Sequence, residues 1–404
     1  MRNFTSHLES TADGSSLPAD TRQTVHEGKP LLVRYDLDAL AKSFRKSDLT
    51  TRSADLWRYA EMLPLRDQSN RVSLGEGMTP LLHCPRLGAK LGIEQLFIKD
   101  ESQLPTGSFK SRGMTMAVSL AKELGVTSVA APTAGNAGGA LAAYAARAGM
   151  ACYVFMPEDT PRVNQLEALW HGAKVFLVNG LIHECGAIVR EGIEKMGWFD
   201  MSTLREPYRI EGKKTMGLEL AEQLEWKLPD VILYPTGGGT GLIGMWKAFS
   251  ELATMGWLTQ EKRPRMYSCQ STGCDPITAA FLAGSASGAH VDHPHTRASG
   301  IRVPKALGDF LILQAVRDSG GRAMSAEEDR LDHWMRLATE LEGIALCPES
   351  AACIGVLEGA LRDGHIKPSE QAVVFNTSAM QKYIEFMDTP IPSVDKNRVD
   401  WDRL

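Results

Sequence analysis

The segment Leu104-Pro-Thr-Gly-Ser-Phe-Lys-Ser-Arg-Gly113 places one lysine, Lys110, directly after a Gly/Ser turn. The preceding residues 96–101 are typical of a short strand, and the apolar residues that follow recur at helical spacing. Lys110 is therefore expected near a helix N-terminus, where the macrodipole disfavours a cation and lowers the lysine pKa. An uncharged lysine amine can form a Schiff base with a carbonyl group. The alternative is that Lys110 is an ordinary surface lysine. Other motifs in the chain are needed to choose between these two interpretations.

A second motif, Pro235-Thr-Gly-Gly-Gly-Thr-Gly241, follows a predicted strand and precedes a predicted helix. Its glycines allow backbone N–H groups to approach an anion closely, and the helix N-terminus adds positive potential. A tight turn is the alternative, but a turn does not need so many glycines. We therefore predict that a phosphate group binds here. The residues expected to hold it are Gly237, Gly238, Gly239, Thr240 and Gly241.

The same loop contains Gly239-Thr-Gly-Leu-Ile-Gly244, which matches the glycine pattern of dinucleotide-binding folds. A dinucleotide site also needs an acidic residue about 20 residues further on, at the end of the next strand, to hold the ribose. The next predicted strand ends at Cys269-Gln270-Ser271, which contains no carboxylate. The pattern therefore favours a small phosphate ester over a nicotinamide dinucleotide.

Polar residues follow two further predicted strands. Asn136 lies in the loop 132–139, where its amide and the free backbone N–H groups suit a carboxylate or a ring hydroxyl. The alternative is that Asn136 only caps the following helix. Thr377 and Ser378 follow a strand near the C-terminus, where hydroxyls either form a turn or face a bound ligand.

Lys110, Asn136 and the glycine loop together fit pyridoxal phosphate, an aldehyde that carries a ring hydroxyl and one phosphate group. With this set of motifs the chain resembles the threonine synthase family, which shares fold type II with tryptophan synthase β subunits and serine/threonine dehydratases. The resemblance extends from about residue 31 to residue 383. Its motifs are Gly75-Glu-Gly-Met-Thr-Pro-Leu81, Thr106-Gly-Ser-Phe-Lys110, 133–136, 208–215, 237–241, Pro348-Glu349 and Phe375-Asn-Thr377.

The resemblance implies a role for each candidate residue. Lys110 would bind the cofactor as a Schiff base and then move protons, while the loop 237–241 would hold the cofactor phosphate. Asn136 would contact the ring hydroxyl, and Thr377 would contact the pyridine nitrogen. A neutral hydroxyl at that nitrogen does not force the ring to stay protonated, which limits its strength as an electron sink. The residues implied in substrate binding are Thr133, Ala134, Gly135 and Asn136 for the α-carboxylate and Arg209 for a phosphate.

The chain departs from the family pattern where the substrate is expected to bind. Thr203-Leu-Arg-Glu-Pro207 stands where relatives have Asn-Ser-x-Asn-Pro, so a polar pair is lost. Arg205 either restores positive charge to the pocket or lies on the surface. The resemblance implies a lyase that converts O-phosphohomoserine and water to threonine and phosphate. The alternative is β-elimination of the serine/threonine dehydratase kind, or β-replacement on another amino acid, because all these reactions begin with loss of the Cα proton.

Strand-like and helix-like segments alternate from residue 96 onward, which predicts an α/β fold with mostly parallel sheets covered by helices. The resemblance implies the two-domain, open twisted sheets of the tryptophan synthase β type, and a homodimer. We expect residues 1–30 to form a flexible arm, 31–113 and 204–404 a large cofactor-binding domain, and 114–203 a smaller inserted α/β domain. The predicted strands are 96–101, 126–131, 152–156, 174–178, 231–234, 266–270 and 372–375, and the predicted helices are 137–148, 162–171, 184–196 and 242–255.

The composition of the chain limits the binding partners and the cellular compartment that we expect for the protein. The 404-residue chain has a formal net charge of −5 and no basic stripe, which argues against nucleic acid. We expect no membrane span and no secretion signal, because no segment has the required apolar length. Seven scattered cysteines without a Cys-x-x-Cys pair fit a reducing cytoplasm. His290, Asp292, His293 and His295 lie in a Gly/Ala/Ser/Pro-rich stretch, so we predict no metal site there.

Overall fold

The computed structural model describes residues 3–260, 262–387, 391, 393–394, 396–397 and 401. Two sheets of mainly parallel strands form the body of the protein, and a smaller antiparallel sheet lies near the N-terminus. This architecture confirms the predicted α/β fold class. The strands are β1 (Thr5–Ser10), β2 (Ser16–Leu17), β3 (Leu31–Tyr35), β4 (Leu81–His83), β5 (Gln95–Asp100), β6 (Ser128–Pro132), β7 (Ala151–Pro157), β8 (Lys174–Val178), β9 (Phe199–Asp200), β10 (Val231–Pro235), β11 (Arg265–Ser271), β12 (Arg322–Ala326) and β13 (Gln371–Asn376).

Helices connect most of the strands of the two larger sheets and cover their faces. Within the part of the chain that the structure describes, no helix is both long enough and apolar enough to cross a membrane. The helices are α1 (Leu37–Ser43), α2 (Pro85–Leu91), α3 (Lys110–Glu123), α4 (Ala137–Ala148), α5 (Arg162–Trp170), α6 (Ile182–Met196), α7 (Tyr208–Gln223), α8 (Thr240–Thr254), α9 (Pro276–Leu282), α10 (Asp309–Asp318), α11 (Leu331–Glu342) and α12 (Pro348–Arg362).

The larger sheet has the strand order β12-β11-β10-β13-β5-β4, and all its neighbours are parallel except β4 and β5. Strand β13 lies between β10 and β5, so these three strands end at the same edge of the sheet. The loops that follow β5, β10 and β13 contain Lys110, the glycines 237–241 and Thr377. The topology therefore brings three segments that are far apart in sequence to one carboxyl edge, where ligands bind in open α/β sheets.

Apolar side chains cover both faces of this sheet. Along β13, Val373 and Phe375 belong to one core cluster, together with α7, α8 and α10. Ala372 and Val374 belong to another, together with α11 and α12. Successive side chains of a strand point to opposite faces, so a central strand covered on both sides reads as a continuous apolar run. Strands β10 and β13 lie inside the sheet and are covered on both faces, which explains why their sequences are short and mostly apolar.

The smaller parallel sheet has the order β8-β7-β6-β9 and is built from residues 128–200. Its strand β6 leads through the loop 133–136 into α4, and helix α3 packs between α4 and α7. The division of the chain into domains near residues 113 and 204 stays a prediction. The segment that we expected as a flexible arm contains β1 and β2, which pair as an antiparallel sheet with β3 and bury Leu8 completely.

Helices α7 and α8 pack unusually closely. A Cβ atom added at Gly244 would lie 2.9 Å from the backbone nitrogen of Lys214, and one at Gly217 would lie 3.0 Å from the Cβ of Ala248. Gly244 is the last glycine of the dinucleotide-like pattern, and it lies inside α8 against the backbone of α7. Its role here is helix packing, so the third glycine of that pattern does not indicate a dinucleotide.

Candidate active site

A cavity of about 590 Å³ opens at the carboxyl edge of the larger sheet, and the loop after β6 forms part of its wall. Every residue that the sequence indicated for cofactor or substrate binding lines this cavity. The role of each remains a prediction, but the structure places them all in one site. These residues are Lys110, Thr133, Ala134, Gly135, Asn136, Arg209, Gly237, Gly238, Gly239, Thr240, Gly241 and Thr377.

Lys110 is the first residue of α3, and its partly buried side chain reaches the cavity. Burial lowers the pKa of Lys110 to about 7, and the positive charge of Arg209 adds to the effect. Its ammonium nitrogen lies 4.1 Å from the centre of the Phe109 ring, which is an electrostatic contact and not a salt bridge. Lys110 can therefore present an uncharged amine near neutral pH, and the cause is burial and the charge of Arg209.

Helix α3 is anchored from behind by buried ion pairs. Arg112 donates to Glu101 at 2.6 Å and to Glu219 at 2.8 Å, and all three side chains are fully buried or nearly so. Burial alone would lower the pKa of Arg112, but the two carboxylates raise it above its ordinary value. Lys99 also pairs with Glu219. These contacts fix the first turn of α3 and so the position of Lys110.

The glycine loop forms a cradle from which side chains are excluded. Gly239 has a φ of 75° and lies at the N-terminal end of α8. A Cβ atom at Gly239 would lie 2.2 Å from Ile312, and one at Gly241 would lie 2.0 Å from the hydroxyl of Tyr234. The first N–H groups of a helix have no intrahelical partner, so an anion in this cradle would meet free donors.

Asn136 precedes α4, but its side chain makes no capping hydrogen bond. Its Nδ2 instead donates to the Ser378 hydroxyl at 2.9 Å and to the Tyr383 hydroxyl at 3.2 Å. Its buried Oδ1 has no hydrogen-bond partner within the described residues. Of the two interpretations of Asn136, the structure therefore excludes the cap and leaves a free acceptor in the cavity wall.

The neighbouring loops are held by local hydrogen bonds. The Thr133 hydroxyl donates to the Gly135 carbonyl at 2.9 Å and accepts from the Gly135 N–H at 3.1 Å. After β13, the Thr377 N–H donates to Ser350 at 3.0 Å, and its carbonyl accepts from the N–H of Phe109 at 3.0 Å. The loop that carries Lys110 is thus tied directly to the end of β13.

Arg209 lies in the first turn of α7 and is only 3% exposed. Its Nη1 donates to the carbonyl of Met201 at 2.9 Å, while its Nε has no hydrogen-bond partner in the described part of the chain. Glu206 lies 3.9 Å away, and burial raises the pKa of Glu206 to about 8. The Oε2 of Glu206 accepts from the backbone N–H groups of Tyr208 and Arg209, and its Oε1 forms no hydrogen bond with the guanidinium of Arg209. Arg205 also lines the cavity.

Sequence reasoning assigned no function to several residues of the cavity wall. Glu349, in the first turn of α12, accepts hydrogen bonds from the Gly300 N–H at 2.7 Å and from the Tyr383 hydroxyl at 2.9 Å. Arg302 pairs with Asp159 at 3.0 Å, which joins the loop after residue 298 to the loop after β7. A Pro-Glu pair is a common helix start, so the sequence alone suggests only a structural role for Glu349.

The histidines of the loop 290–295 do not form a metal centre with their neighbours. Among the residues that the structure describes, no group of three or more His, Cys, Asp or Glu side chains could hold a metal ion.

The sequence matches the family of pyridoxal-phosphate dependent enzymes over residues 72–378, and the chain belongs to this family. Among its relatives, the threonine synthase of Methanocaldococcus jannaschii is 35% identical over 351 residues, which are 87% of this chain and 86% of that protein. The threonine synthase of Mycobacterium tuberculosis is 32% identical over 343 residues, 85% of this chain and 92% of that protein. The chain is thus a threonine synthase-like member of a pyridoxal phosphate-dependent family, as its motifs indicate.

Solved structures support the same fold. The serine racemase of maize aligns with a TM-score of 0.66 and 22% identity over 84% of this chain and 100% of that one. The diaminopropionate ammonia lyase of Escherichia coli aligns with a TM-score of 0.68 and 17% identity over 96% of this chain and 98% of that one. At these identities the similarity concerns the fold alone, and it confirms the fold type II architecture.

The residues of the cavity fit pyridoxal phosphate. The glycine loop lines the cavity at the N-terminus of α8, where Gly239 and Gly241 leave no room for a Cβ atom, and Asn136 holds a buried acceptor without a partner. Lys110 adds an amine whose pKa is about 7. A phosphate, a ring hydroxyl and an aldehyde would each meet the kind of group that binds it.

Proposed function

We propose that the protein is a threonine synthase, a carbon–oxygen lyase that converts O-phosphohomoserine and water to threonine and phosphate. One observation carries the proposal: a single cavity contains the glycine cradle and, apart from it, the buried cation Arg209. A cofactor phosphate needs only the cradle, so the second anion site suits a substrate that carries its own phosphate. Threonine synthases that are 32–35% identical over most of the chain support the same activity.

At the cofactor end, we assign the phosphate to the loop 237–241, the ring hydroxyl to Asn136 and the pyridine nitrogen to Thr377. The N-terminus of α8 stabilises the negative charge of the phosphate. Thr377 offers a neutral hydroxyl, which leaves the ring nitrogen free to lose its proton. Both hydrogen bonds of the Thr377 backbone hold it in place beside the loop of Lys110.

Lys110 is the residue that moves protons. Pyridoxal phosphate, when bound, withdraws electrons from the amino acid and so acidifies its Cα proton. The Nζ of Lys110 would hold the cofactor when no amino acid is bound, and as a free amine it could accept the Cα proton and move protons at Cβ. A pKa of about 7 allows Lys110 both to accept and to return a proton near neutral pH.

At the substrate end, the α-carboxylate is assigned to the loop 133–136, at the N-terminus of α4, and the substrate phosphate to Arg209. The ion pair between Arg302 and Asp159 joins loops from the two sheets, and Arg302 also lines the cavity. In the proposed reaction, water adds at Cβ when phosphate leaves from Cγ.

A direct assay tests the proposal. Purified holoenzyme is offered O-phosphohomoserine, serine, threonine and O-acetylserine in parallel, with inorganic phosphate, threonine and 2-oxo acids measured in every reaction. We expect equal amounts of phosphate and threonine from O-phosphohomoserine alone. A 2-oxo acid formed from serine or threonine without phosphate release would identify β-elimination instead and reject threonine synthesis as the function.

We also propose that the protein is a homodimer of the cytoplasm. All seven cysteines are free and buried, which suits a reducing compartment. Sedimentation of the purified holoenzyme at several concentrations measures its mass in solution. A mass close to the 44.2 kDa of one chain at every concentration would reject the dimer.

A further inference from the structure

The hydroxyl of Tyr234 is a buried hydrogen-bonding group without a partner. Tyr234 lies near the end of β10, just before the glycine loop, and is only 1% exposed. The residue lines the cavity, but its hydroxyl forms no hydrogen bond within the part of the chain that the structure describes. Leaving a buried hydroxyl unpaired costs free energy, so this group is a candidate contact for a bound molecule.

The side chain of Tyr234 holds this hydroxyl against the glycine loop. Its ring packs edge-on against Phe109, with centroids 6.0 Å apart, and against Phe375, with centroids 5.5 Å apart. At the tip of the ring, the hydroxyl occupies the space that a Cβ atom at Gly241 would need. Gly241 does not have a positive φ, so the approach of this hydroxyl, and not the backbone conformation, explains why the residue is a glycine.

The neighbouring protein groups do not supply a partner for the hydroxyl. Glu101 is paired with Arg112, and the amine of Lys213 donates to the carbonyl of Phe109. Burial, with a smaller contribution from Glu101, holds the pKa of Tyr234 well above its ordinary value. The hydroxyl therefore keeps its proton near neutral pH and requires an acceptor for it.

Several acceptors are expected in the cavity, but the proposed function places only the cofactor phosphate at the glycine loop. Phosphate has three acceptor oxygens, so it can accept from this hydroxyl as well as from the N–H groups at the start of α8. The amine of Lys110 also has a lone pair when uncharged, but that amine is assigned to the cofactor aldehyde. The remaining acceptors are assigned to other residues: the ring hydroxyl to Asn136, the pyridine nitrogen to Thr377, the α-carboxylate to 133–136 and the substrate phosphate to Arg209.

We propose that Tyr234 is a further cofactor-binding residue, whose hydroxyl donates a hydrogen bond to the phosphate group of pyridoxal phosphate in the loop 237–241. The inference rests on the cofactor placement in the proposed function, though not on the identity of the amino-acid substrate. The cradle then combines backbone N–H groups with one uncharged side-chain donor. Because the ring is already packed between other side chains, little conformational freedom is lost when the phosphate binds.

The test compares pyridoxal 5′-phosphate with pyridoxal, which lacks the phosphate group, on the full-length apoprotein without any amino acid. Quenching of tryptophan fluorescence measures the affinity for each. Tyr234→Phe should weaken the binding of pyridoxal phosphate by about tenfold and that of pyridoxal by less than about twofold, because only the first loses a hydrogen bond to a charged acceptor. The variant apoprotein should unfold at the same temperature as the wild type or at a higher one, since it no longer buries an unpaired hydroxyl.

Tyr267→Phe is the matched control, because Tyr267 is a buried tyrosine of the neighbouring strand β11 that lies outside the cavity wall and donates to the His365 carbonyl at 3.2 Å. It should keep the wild-type preference for pyridoxal phosphate and unfold at a lower temperature than the wild type.

Two results would overturn the inference alone. The first is a wild-type preference for pyridoxal phosphate that Tyr234→Phe retains in full. The second is a Tyr234→Phe apoprotein that is clearly less stable than the wild type, because its hydroxyl would then have a partner inside the protein. Equal binding of the two compounds by the wild-type protein would overturn the phosphate placement as well. Threonine synthesis plays no part in the assay, so its absence would leave the result intact.

Discussion

Lys110 and Arg112 lie two residues apart on the same helix, yet their surroundings are opposite. Arg112 points away from the cavity and is paired with Glu101 and Glu219. Lys110 points into the cavity, has no carboxylate within salt-bridge distance among the described residues and has a pKa lowered to about 7. One cation is held permanently charged and the other is kept close to neutral. Helix α3 thus carries a buried arginine paired with two carboxylates and, two residues before it, a lysine with a lowered pKa that faces the cavity.

The same contrast extends beyond the helix. Behind α3 the buried charges satisfy one another, as Lys99 and Glu219 do. Around the cavity, buried polar atoms lack partners, including Oδ1 of Asn136, Oε2 of Glu349 and Nε of Arg209. A native protein leaves few buried polar atoms unpaired, so each of these atoms in the cavity wall is a candidate contact for a ligand. The four predictions that follow test this division between an anchoring side and a ligand-binding side.

Lys110→Ala should have the largest effect. We expect kcat to fall by roughly a thousandfold or more, because the general acid–base and nucleophilic group is lost. The apoprotein should still bind pyridoxal phosphate through the glycine cradle. Steady-state kinetics with O-phosphohomoserine measures the first effect and fluorescence quenching the second. Lys122→Ala, in the exposed last turn of α3, is the matched control and should retain full activity.

Arg112→Met tests the anchoring side. Removing one partner of a buried ion pair leaves carboxylates uncompensated and costs about 3–5 kcal/mol of unfolding free energy. The midpoint of urea unfolding measures the loss. Arg362→Met removes an exposed ion pair with Asp363 and should leave the midpoint almost unchanged. Equal midpoints for the two variants would show that the buried charges behind α3 do not anchor it.

Arg209→Ala tests the substrate end of the ligand-binding side. We expect KM for O-phosphohomoserine to rise by about tenfold or more, since a charge-assisted pair with phosphate contributes about 1.5–3 kcal/mol. The affinity for pyridoxal phosphate should change much less, and only because the charge of Arg209 helps to lower the pKa of Lys110. Arg205→Ala separates the two interpretations of Arg205, because only a residue that contacts the substrate phosphate would raise KM. An unchanged KM in Arg209→Ala would indicate a substrate without phosphate.

The pH dependence of cofactor binding gives the smallest effect. The pKa of Lys110 is lowered to about 7, so its uncharged and nucleophilic form becomes more abundant as pH rises through 7. The rate at which the apoprotein bonds to pyridoxal phosphate should therefore increase by about tenfold from pH 6 to pH 8 and then level off. Stopped-flow absorbance follows this step. A rate that keeps rising up to pH 10 would show a lysine with an ordinary pKa.

Local sequence patterns predicted the central elements well. Strand β8 and helix α4 begin and end at the predicted residues, because turns and glycines bound them on both sides. The glycine loop and the Lys110 loop were also recognisable, since their unusual residue types have few purely structural explanations. What these segments share is that their signal lies within a few residues of sequence.

Helix α7 and the Glu349 contacts could not be obtained in this way. Residues 208–221 are all buried, although they include Glu211, Lys213 and Lys214. These charged residues interrupt the apolar spacing from which a buried helix is normally predicted. Lys214 is stabilised by Glu211 at 2.7 Å and by Glu251, 37 positions further on, at 2.9 Å. Likewise, Glu349 accepts hydrogen bonds from Gly300 and Tyr383, and Tyr383 in turn accepts one from Asn136, so its surroundings come from distant parts of the chain. Such pairings depend on tertiary structure, and no local pattern encodes them.

The close packing of α7 and α8 has a consequence for substrate choice. Arg209 lies in the first turn of α7, and the glycine cradle lies at the start of α8, so the packing of these two helices helps to set the distance between them. Gly244 lies against the backbone of α7, and a larger residue at this position would push the two helices apart. Under the proposed function, this distance separates the cofactor phosphate from the substrate phosphate, and it therefore favours one length of the substrate's carbon chain.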